Sequence, residues 1–296
     1  MLGGLMTRCC ALVSCALVGF VSSVGTGSAL AQEAILTDAA TQPAKGRVTF
    51  RGQYRFTRLD QEARDGRQGR TVNDHAWHST VTYGVRRDIS FAASFAALVR
   101  DDVSGSPGAG FMEGPDDDEA GVTDLRTTLK WRFWQEDPGP VDTRRLALVG
   151  GIEWPTGTGD LSSHSIDPFA GIVFTAIQGR HGFNQSVLYQ FNTGTIEENL
   201  LVGQNKYDLL EFDTAYLYRL YPGSYTDETE GSLYATVELE GYYETSGDVE
   251  LLISPGLMWE ARRWTAEVGV RLPLYEDVTE RAAVGYGVVF GIRYLF

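Results

Sequence analysis

Residues 47–58 read RVTFRGQYRFTR, and every second position is apolar or glycine. Val48, Phe50, Gly52, Tyr54 and Phe56 alternate with Arg47, Thr49, Arg51, Gln53, Arg55 and Thr57. A two-residue period puts the two sets on opposite faces of a β-strand; on a helix the arginines would circle the axis and leave no apolar stripe. The pattern recurs. Residues 75–85 set Trp77, Val81, Tyr83 and Val85 on one face, and 89–99 set Phe91, Ala93, Phe95, Ala97 and Val99. In 122–134, Leu125, Thr127, Leu129, Trp131 and Phe133 oppose Asp124, Arg126, Thr128, Lys130 and Arg132. In 146–154, Leu146, Leu148, Ile152 and Trp154 share a face, whereas 169–178 is apolar on both sides and leaves its phase open. Segments at 183–191, 210–219, 233–240, 250–260 and 264–272 alternate again. The chain closes on AVGYGVVFGIRYLF, with Tyr286, Val288, Phe290, Ile292, Tyr294 and Phe296 on one face. Twelve strands are expected, an even number.

The connections alternate too. RRD, GRH and ARR follow the second, sixth and tenth segments, while the loops after the first, third, fifth and seventh are long and polar. Short turns at one end and long loops at the other are the habit of a transmembrane β-barrel. A soluble sandwich also alternates, but its apolar face is buried and its polar face is wet. Here the apolar face carries Trp77, Trp131, Phe133, Trp154, Tyr218, Trp259, Trp264, Tyr294 and Phe296 near the expected strand ends, as interfacial aromatic girdles require. The predicted fold class is all-β, an antiparallel meander barrel over 46–296, with apolar residues on lipid and charged residues in the lumen. Such a barrel closes on itself because lipid offers no partner to an unpaired strand edge.

Composition narrows the picture. Residues 1–31 have one arginine, an apolar stretch and a small-residue ALA site, and are expected to be a secretory signal peptide. Lipoprotein cleavage before Cys15 is the weaker alternative, because few residues separate it from Arg8. All three cysteines lie in this leader, so the remaining chain has no disulfide, thiolate or cysteine metal site. The formal net charge is −14 and becomes one unit more negative without Arg8, which excludes a nucleic-acid partner held by its phosphates. No later stretch supplies the ~18 consecutive apolar residues of a membrane helix. Residues 32–45 are expected to form a periplasmic segment.

The stretch from GVTDLRTTLKWRFW to LALVGGIEWPTGTGDLSSHSIDPFAGIVFT resembles the outer-membrane protein family named for the meta-pathway of phenol degradation. Gly121, Asp124, Leu125 and Lys130 fit one pattern of that family, and Pro155, Thr156 and Gly157 fit the next. The closing SPGLMWEARRWTAEVGVRLPL is also similar. The resemblance implies an outer-membrane barrel for the uptake of hydrophobic or aromatic compounds. The terminal RYLF, with Tyr294 and Phe296, resembles the carboxy-terminal signal read by the barrel-assembly machinery. Outer-membrane lipid and lipopolysaccharide are the other expected partners.

Twelve strands ~4.8 Å apart and tilted ~40° enclose a backbone diameter of about 24 Å, leaving room for a small solute only. The expected lumen set is Arg47, Arg51, Arg55, Arg126, Lys130 and Arg132 on one wall and Glu211, Asp213, Glu238, Glu240 and Glu250 on the other. Two readings stand side by side: a transverse field that orients dipolar solutes, or charges that meet in a polar plug. The acidic run Asp116–Glu119 reads as a solvated loop. His164, Ser165 and Asp167 are the residue types of a hydrolase triad without its spacing, and His75, His78 and His181 read as rim residues. No catalytic residue, cofactor or metal is expected. Facilitated diffusion of small solutes is the leading function; a lipid-acting enzyme and a plugged structural or adhesive barrel are the alternatives.

Overall fold

The computed structural model describes residues 33–61, 69–102, 119–197 and 199–296; the expected signal peptide and Asp116–Asp118 lie outside them. Twelve antiparallel strands form a closed barrel. They are β1 (Val48–Gln61), β2 (Arg70–Gly84), β3 (Ile89–Asp102), β4 in two pieces (Glu119–Val122 and Leu125–Glu136), β5 (Thr143–Trp154) and β6 (Asp167–Gln178). Then follow β7 (His181–Gln190), β8 (Leu209–Tyr221), β9 (Gly231–Glu244), β10 (Val249–Ala261), β11 (Trp264–Asp277) and β12 (Ala283–Leu295). Each strand pairs with its neighbours in sequence, and β1 pairs with β12 through Phe50↔Tyr294, Gly52↔Ile292 and Phe56↔Val288. The last residue takes part: the Phe296 N–H donates to Val48 O at 2.9 Å. Closure joins the first strand to the last along their described length, as a lipid surround requires of a strand protein.

The faces fall as alternation dictates. Val81, Phe91, Leu129, Val237, Val268 and Phe290 all point outward and are exposed, while Arg100, Glu238, Glu250, Glu267 and Arg293 point inward and are buried. An apolar exterior around a polar, ionised interior is the transmembrane arrangement and the inverse of a soluble barrel. Tyr294 and Phe296 meet edge to face at 4.7 Å, and Trp131 and Phe133 lie 6.0 Å apart, all at the short-turn end. Trp77 departs from expectation. It stands near the middle of β2, opposite Tyr54 and Ala97, because pairing continues through the polar residues from Arg70 upward, past the apolar segment that the pattern detects.

The open phase of β6 is settled. Phe169, Val173, Thr175 and Ile177 are buried inside, and Ile172 is exposed outside. The fourth strand is broken where continuous alternation was expected. Thr123 and Asp124 leave the ladder because the Asp124 carboxylate turns to the β5–β6 loop, accepting from Gly157 N (2.7 Å), Ser162 Oγ (2.8 Å), Ser163 N (2.8 Å) and Ser163 Oγ (3.0 Å). The Leu125 N–H donates to Thr156 Oγ1 at 2.9 Å. Gly121 lies so close to this loop that a Cβ there would come within 2.7 Å of Thr158 Cβ. Gly121, Asp124, Leu125, Thr156 and Gly157 thus fold a loop back into the barrel mouth, where Leu161 is buried with Ala76, Ala96 and Leu98.

Candidate functional site: the occupied lumen

Residues 33–43 run inside the barrel. The stretch expected to be a periplasmic segment therefore lies, as far as it is described, mostly within the lumen. The chain passes Gly84, where a Cβ would come within 2.2 Å of Ala44 O, and Gly46 N donates to Gly84 O at 2.7 Å. Ala34, Ile35, Thr37, Ala39 and Ala40 are then buried.

A peptide in this position has no strand to pair with, so its buried N–H and C=O groups need side-chain partners. Glu238 on β9 accepts three consecutive N–H groups, from Ile35 (2.7 Å), Leu36 (2.9 Å) and Thr37 (2.7 Å). The carbonyls are met from the other side. Arg293 Nη2 donates to Ala34 O (2.6 Å), Gln53 Nε2 to Ile35 O (2.8 Å), and Arg51 to both. Glu267 holds those donors in place through Arg51 (2.9 Å) and Arg293 (2.6 Å). Farther along, Lys130 Nζ donates to Ala39 O (2.7 Å) and pairs with Asp38, and Ala40 N donates to Thr175 Oγ1 on β6 (2.9 Å). Apolar contacts follow the same path across the lumen. Ala34 packs with Ala215, Leu217, Tyr234 and Met258, and Ala40 with Ala147, Val149, Phe169 and Val173.

Beyond the segment, toward the long loops, lies a cavity of about 470 Å³. Arg51, Gln53, Arg55 and Arg271 line it at the segment's end; His78, Arg126, Glu153 and Tyr242 line its sides; Leu200, Leu201 and Val202 of the β7–β8 loop lie over it. That loop is tied down by polar contacts. Gln204 Nε2 donates to Glu153 Oε1 (2.6 Å), Gly203 N to Glu244 Oε1 (3.2 Å) and Asn205 Nδ2 to Glu244 Oε2 (3.0 Å). Leu200 packs against the Leu59, Val72, Leu252 and Val284 cluster, and Leu201 against Ala76, Leu98 and Leu161.

The eleven residues expected in the lumen divide by height. Arg51, Lys130 and Glu238 hold the N-terminal segment. Arg55, Arg126 and Glu240 belong to the cavity level: Arg126 lies 3.8 Å from the Phe169 ring centre and Glu240 takes both arms of Arg271 (2.8 and 3.2 Å). Glu211 and Asp213 face inward on β8, Asp213 accepting from Ser186 Oγ at 3.4 Å. Glu250 is buried at the long-loop mouth with Arg281 (2.9 Å) and Val284 N (2.6 Å). Arg47 and Arg132 sit at the short-turn rim, donating to Phe296 O and Arg87 O. The walls are not simply of opposite sign, because Arg271 and Arg281 on the β11–β12 side ion-pair with Glu240 and Glu250 of the acidic strands, and Arg293 pairs with Glu267 on its own side. Those three arginines and Glu267 are buried lumen positions the sequence reading left out of its lumen set, although Glu267, Arg271 and Arg293 stand at polar-face positions of alternating strands.

The histidines sort differently from expectation. His78 faces the cavity, His75 bonds Tyr54 Oη at 2.8 Å, and His181 bonds Tyr216 Oη at 2.6 Å. Ser165 Oγ donates to the Asp167 carboxylate at 2.7 Å, while the His164 backbone, in the left-handed region at φ 54°, donates to Ser162 Oγ. Their bonding is that of a loop fold.

No protein-family model matches the chain, and no curated protein matches it in sequence. Among solved structures, the COG4313 outer membrane channel from Pseudomonas putida F1 overlays with a TM-score of 0.57 at 11% identity, covering 89% of this chain and 100% of that one. The TodX deltaS2S3 mutant monoaromatic hydrocarbon channel (TM-score 0.38, 7% identity, 86% and 90% covered) and a Pseudomonas aeruginosa FadL homologue (0.34, 9%, 84% and 89%) overlay more loosely. At such identities the likeness speaks for the fold, that of an outer-membrane barrel.

Proposed function

We propose that the chain is a gated outer-membrane channel for small solutes, hydrophobic and aromatic compounds among them. The observation that carries this reading is the way the lumen is closed. Residues 33–43 are held by side chains and small apolar contacts, without a β-ladder of their own. A segment attached in that way can leave without any barrel strand being broken. The cavity under the β7–β8 loop then becomes a way station between the two ends. The COG4313 protein is an outer membrane channel, and the resemblance to the family named for phenol degradation implies hydrophobic or aromatic solutes. In this reading the chain is exported by its leader and inserted by the assembly machinery through Tyr294 and Phe296. The outward face meets lipid, with lipopolysaccharide around the long-loop end.

The test is flux into proteoliposomes for the full protein and for a variant lacking 33–43. Removing the obstruction is expected to raise uptake of a small neutral sugar clearly above that of the full protein, since a barrel interior is either an aqueous path or plugged. Equal and negligible flux in both proteins would favour a structural or adhesive barrel; ester hydrolysis sensitive to His164 would favour an enzyme.

A further inference from the structure

The cavity is chemically two-sided. At the end nearest the N-terminal segment it presents three arginines. Two have carboxylate partners: Arg51 pairs with Glu267 at 2.9 Å and Arg271 with Glu240 at 2.8 Å. The third, Arg55, bonds a neutral acceptor, Gln53 Oε1, through Nη2 at 2.6 Å and Nε at 3.2 Å. Among the described residues no carboxylate lies within ion-pair distance of it. His78 stands across from Gln53 in the β1–β2 register and lines the same space. The opposite end is richer in apolar side chains: Leu200 and Leu201 pack there against Leu59, Leu98 and Val284, while the carboxylates that share it are already engaged, Asp74 by Arg100, Asp124 by the β5–β6 loop and Glu153 by Gln204. A guanidinium held inside a protein without a carboxylate in direct contact is costly, and although Glu240 is near enough to attract it, that carboxylate is taken by Arg271, leaving the planar fork of Arg55 suited to a further carboxylate. An apolar lid at the far end suits a hydrocarbon body. The volume, about 470 Å³, is that of a small-ligand pocket.

We propose that this cavity binds small amphipathic carboxylates, with the anionic group on Arg55 and the apolar body under the β7–β8 loop. The proposal names a ligand class for the channel reading, and it rests on that reading only for the claim that the bound molecule travels onward. Binding can therefore be tested apart from transport.

The experiment uses the full protein in lipid nanodiscs and measures equilibrium binding of phenylacetate, phenylacetamide and acetate. Phenylacetate is expected to bind about tenfold or more tightly than either of the others, since the amide lacks the charge and acetate lacks the ring. Arg55→Gln is expected to cost phenylacetate about tenfold and to leave phenylacetamide within about twofold. Arg55→Lys, which keeps the charge and loses the fork, should fall between. Leu201→Ala is expected to weaken phenylacetate and leave acetate alone. If Arg55→Gln does not assemble, the wild-type ranking and the Leu201→Ala result decide. Equal affinity for phenylacetate and its amide, or phenylacetate binding untouched by Arg55→Gln, overturns the proposal. Phenylacetate bound in nanodiscs with no flux in proteoliposomes would uphold the site and sink the channel.

Discussion

The two ends of the lumen use one chemistry for opposite purposes. In the half nearest the short turns, Arg51, Lys130, Glu238 and Arg293 spend their hydrogen bonds on the backbone of residues 33–43. In the half nearest the long loops, Glu240, Glu244 and Glu250 are taken up by Arg271 of β11 and Arg281 of the β11–β12 connection. The first half is consequently full and the second hollow. Charged residues at inward positions of a barrel thus do not by themselves mean a water-filled pore. What they face decides whether they conduct, bind a peptide or cancel one another. The comparison also separates two kinds of closure. The N-terminal segment is held by many short polar contacts, some of them ionic, whereas the β7–β8 loop is held by neutral amide contacts to carboxylates and carbonyls together with the packing of Leu200 and Leu201.

If that contrast is right, the largest effect of a single substitution belongs to Glu238. It is fully buried and accepts three N–H groups from consecutive residues. Glu238→Gln removes the charge and turns one acceptor into a donor facing those N–H groups. The expected cost is about 2–3 kcal/mol, one to two orders of magnitude in the population of the displaced segment. Amide exchange over 33–41 should accelerate by that factor while exchange in β9 and β10 stays slow. Unchanged protection of 33–41 would mean that the segment is held by packing of Ala34, Ile35 and Ala40, and that Glu238 is incidental.

A middling effect is expected at the barrel mouth. Asp124→Ala strips four hydrogen bonds from the loop that follows β5, at a cost of about 2 kcal/mol confined to that loop, whose freed groups can turn to water. Ser162→Ala removes one of the four and should cost about 1 kcal/mol. Exchange of Gly157 and Ser163 amides separates the two variants. A global fall in barrel melting temperature after Asp124→Ala would show that the break in β4 carries the fold, contrary to its place outside the ladder.

The barrel itself was legible because alternation is a local property. Arg47 to Thr57 and Ala283 to Phe296 each state their faces without reference to any other strand, and the short-turn, long-loop rhythm states the order. The N-terminal segment was not legible in that way. EAILTDAATQP has no period, and its partners Glu238, Glu267 and Arg293 lie some two hundred residues or more away. A trace of it was nevertheless present. Residues 169–178 resisted a phase because Phe169 and Val173 are apolar on the lumen side, where Ala40 rests on them. Ala147, Val149, Ala215 and Leu217 are likewise apolar at inward positions. Inward apolar residues on opposite walls of an otherwise charged lumen are the mark of something lying across it. The cavity was out of reach for a different reason: the β7–β8 loop that roofs it folds back by side-chain contacts that no sequence period encodes.

The smallest effects test the loop half of the comparison. Gln204 and Lys206 belong to the same loop and both meet a glutamate, yet they differ in surroundings. Gln204 is buried and donates to Glu153 at 2.6 Å, whereas the Lys206–Glu197 pair, at 2.9 Å, stands in solvent. Gln204→Ala leaves Glu153 short of a donor under the loop, and should cost about 1–2 kcal/mol. It is read as faster protease cleavage within 191–208. Glu197→Gln should change neither cleavage nor melting temperature at neutral pH, because an exposed pair is screened and offset by side-chain ordering. The hydrogen bond to Glu197 does raise the Lys206 pKa above its ordinary 10.5. Whatever the pair contributes is therefore present below pH 10.5 and lost as the pH climbs through the raised value. A loop loosened more by Glu197→Gln than by Gln204→Ala would place its anchor at the surface, and the roof of the cavity would then be an outer flap instead of a packed lid.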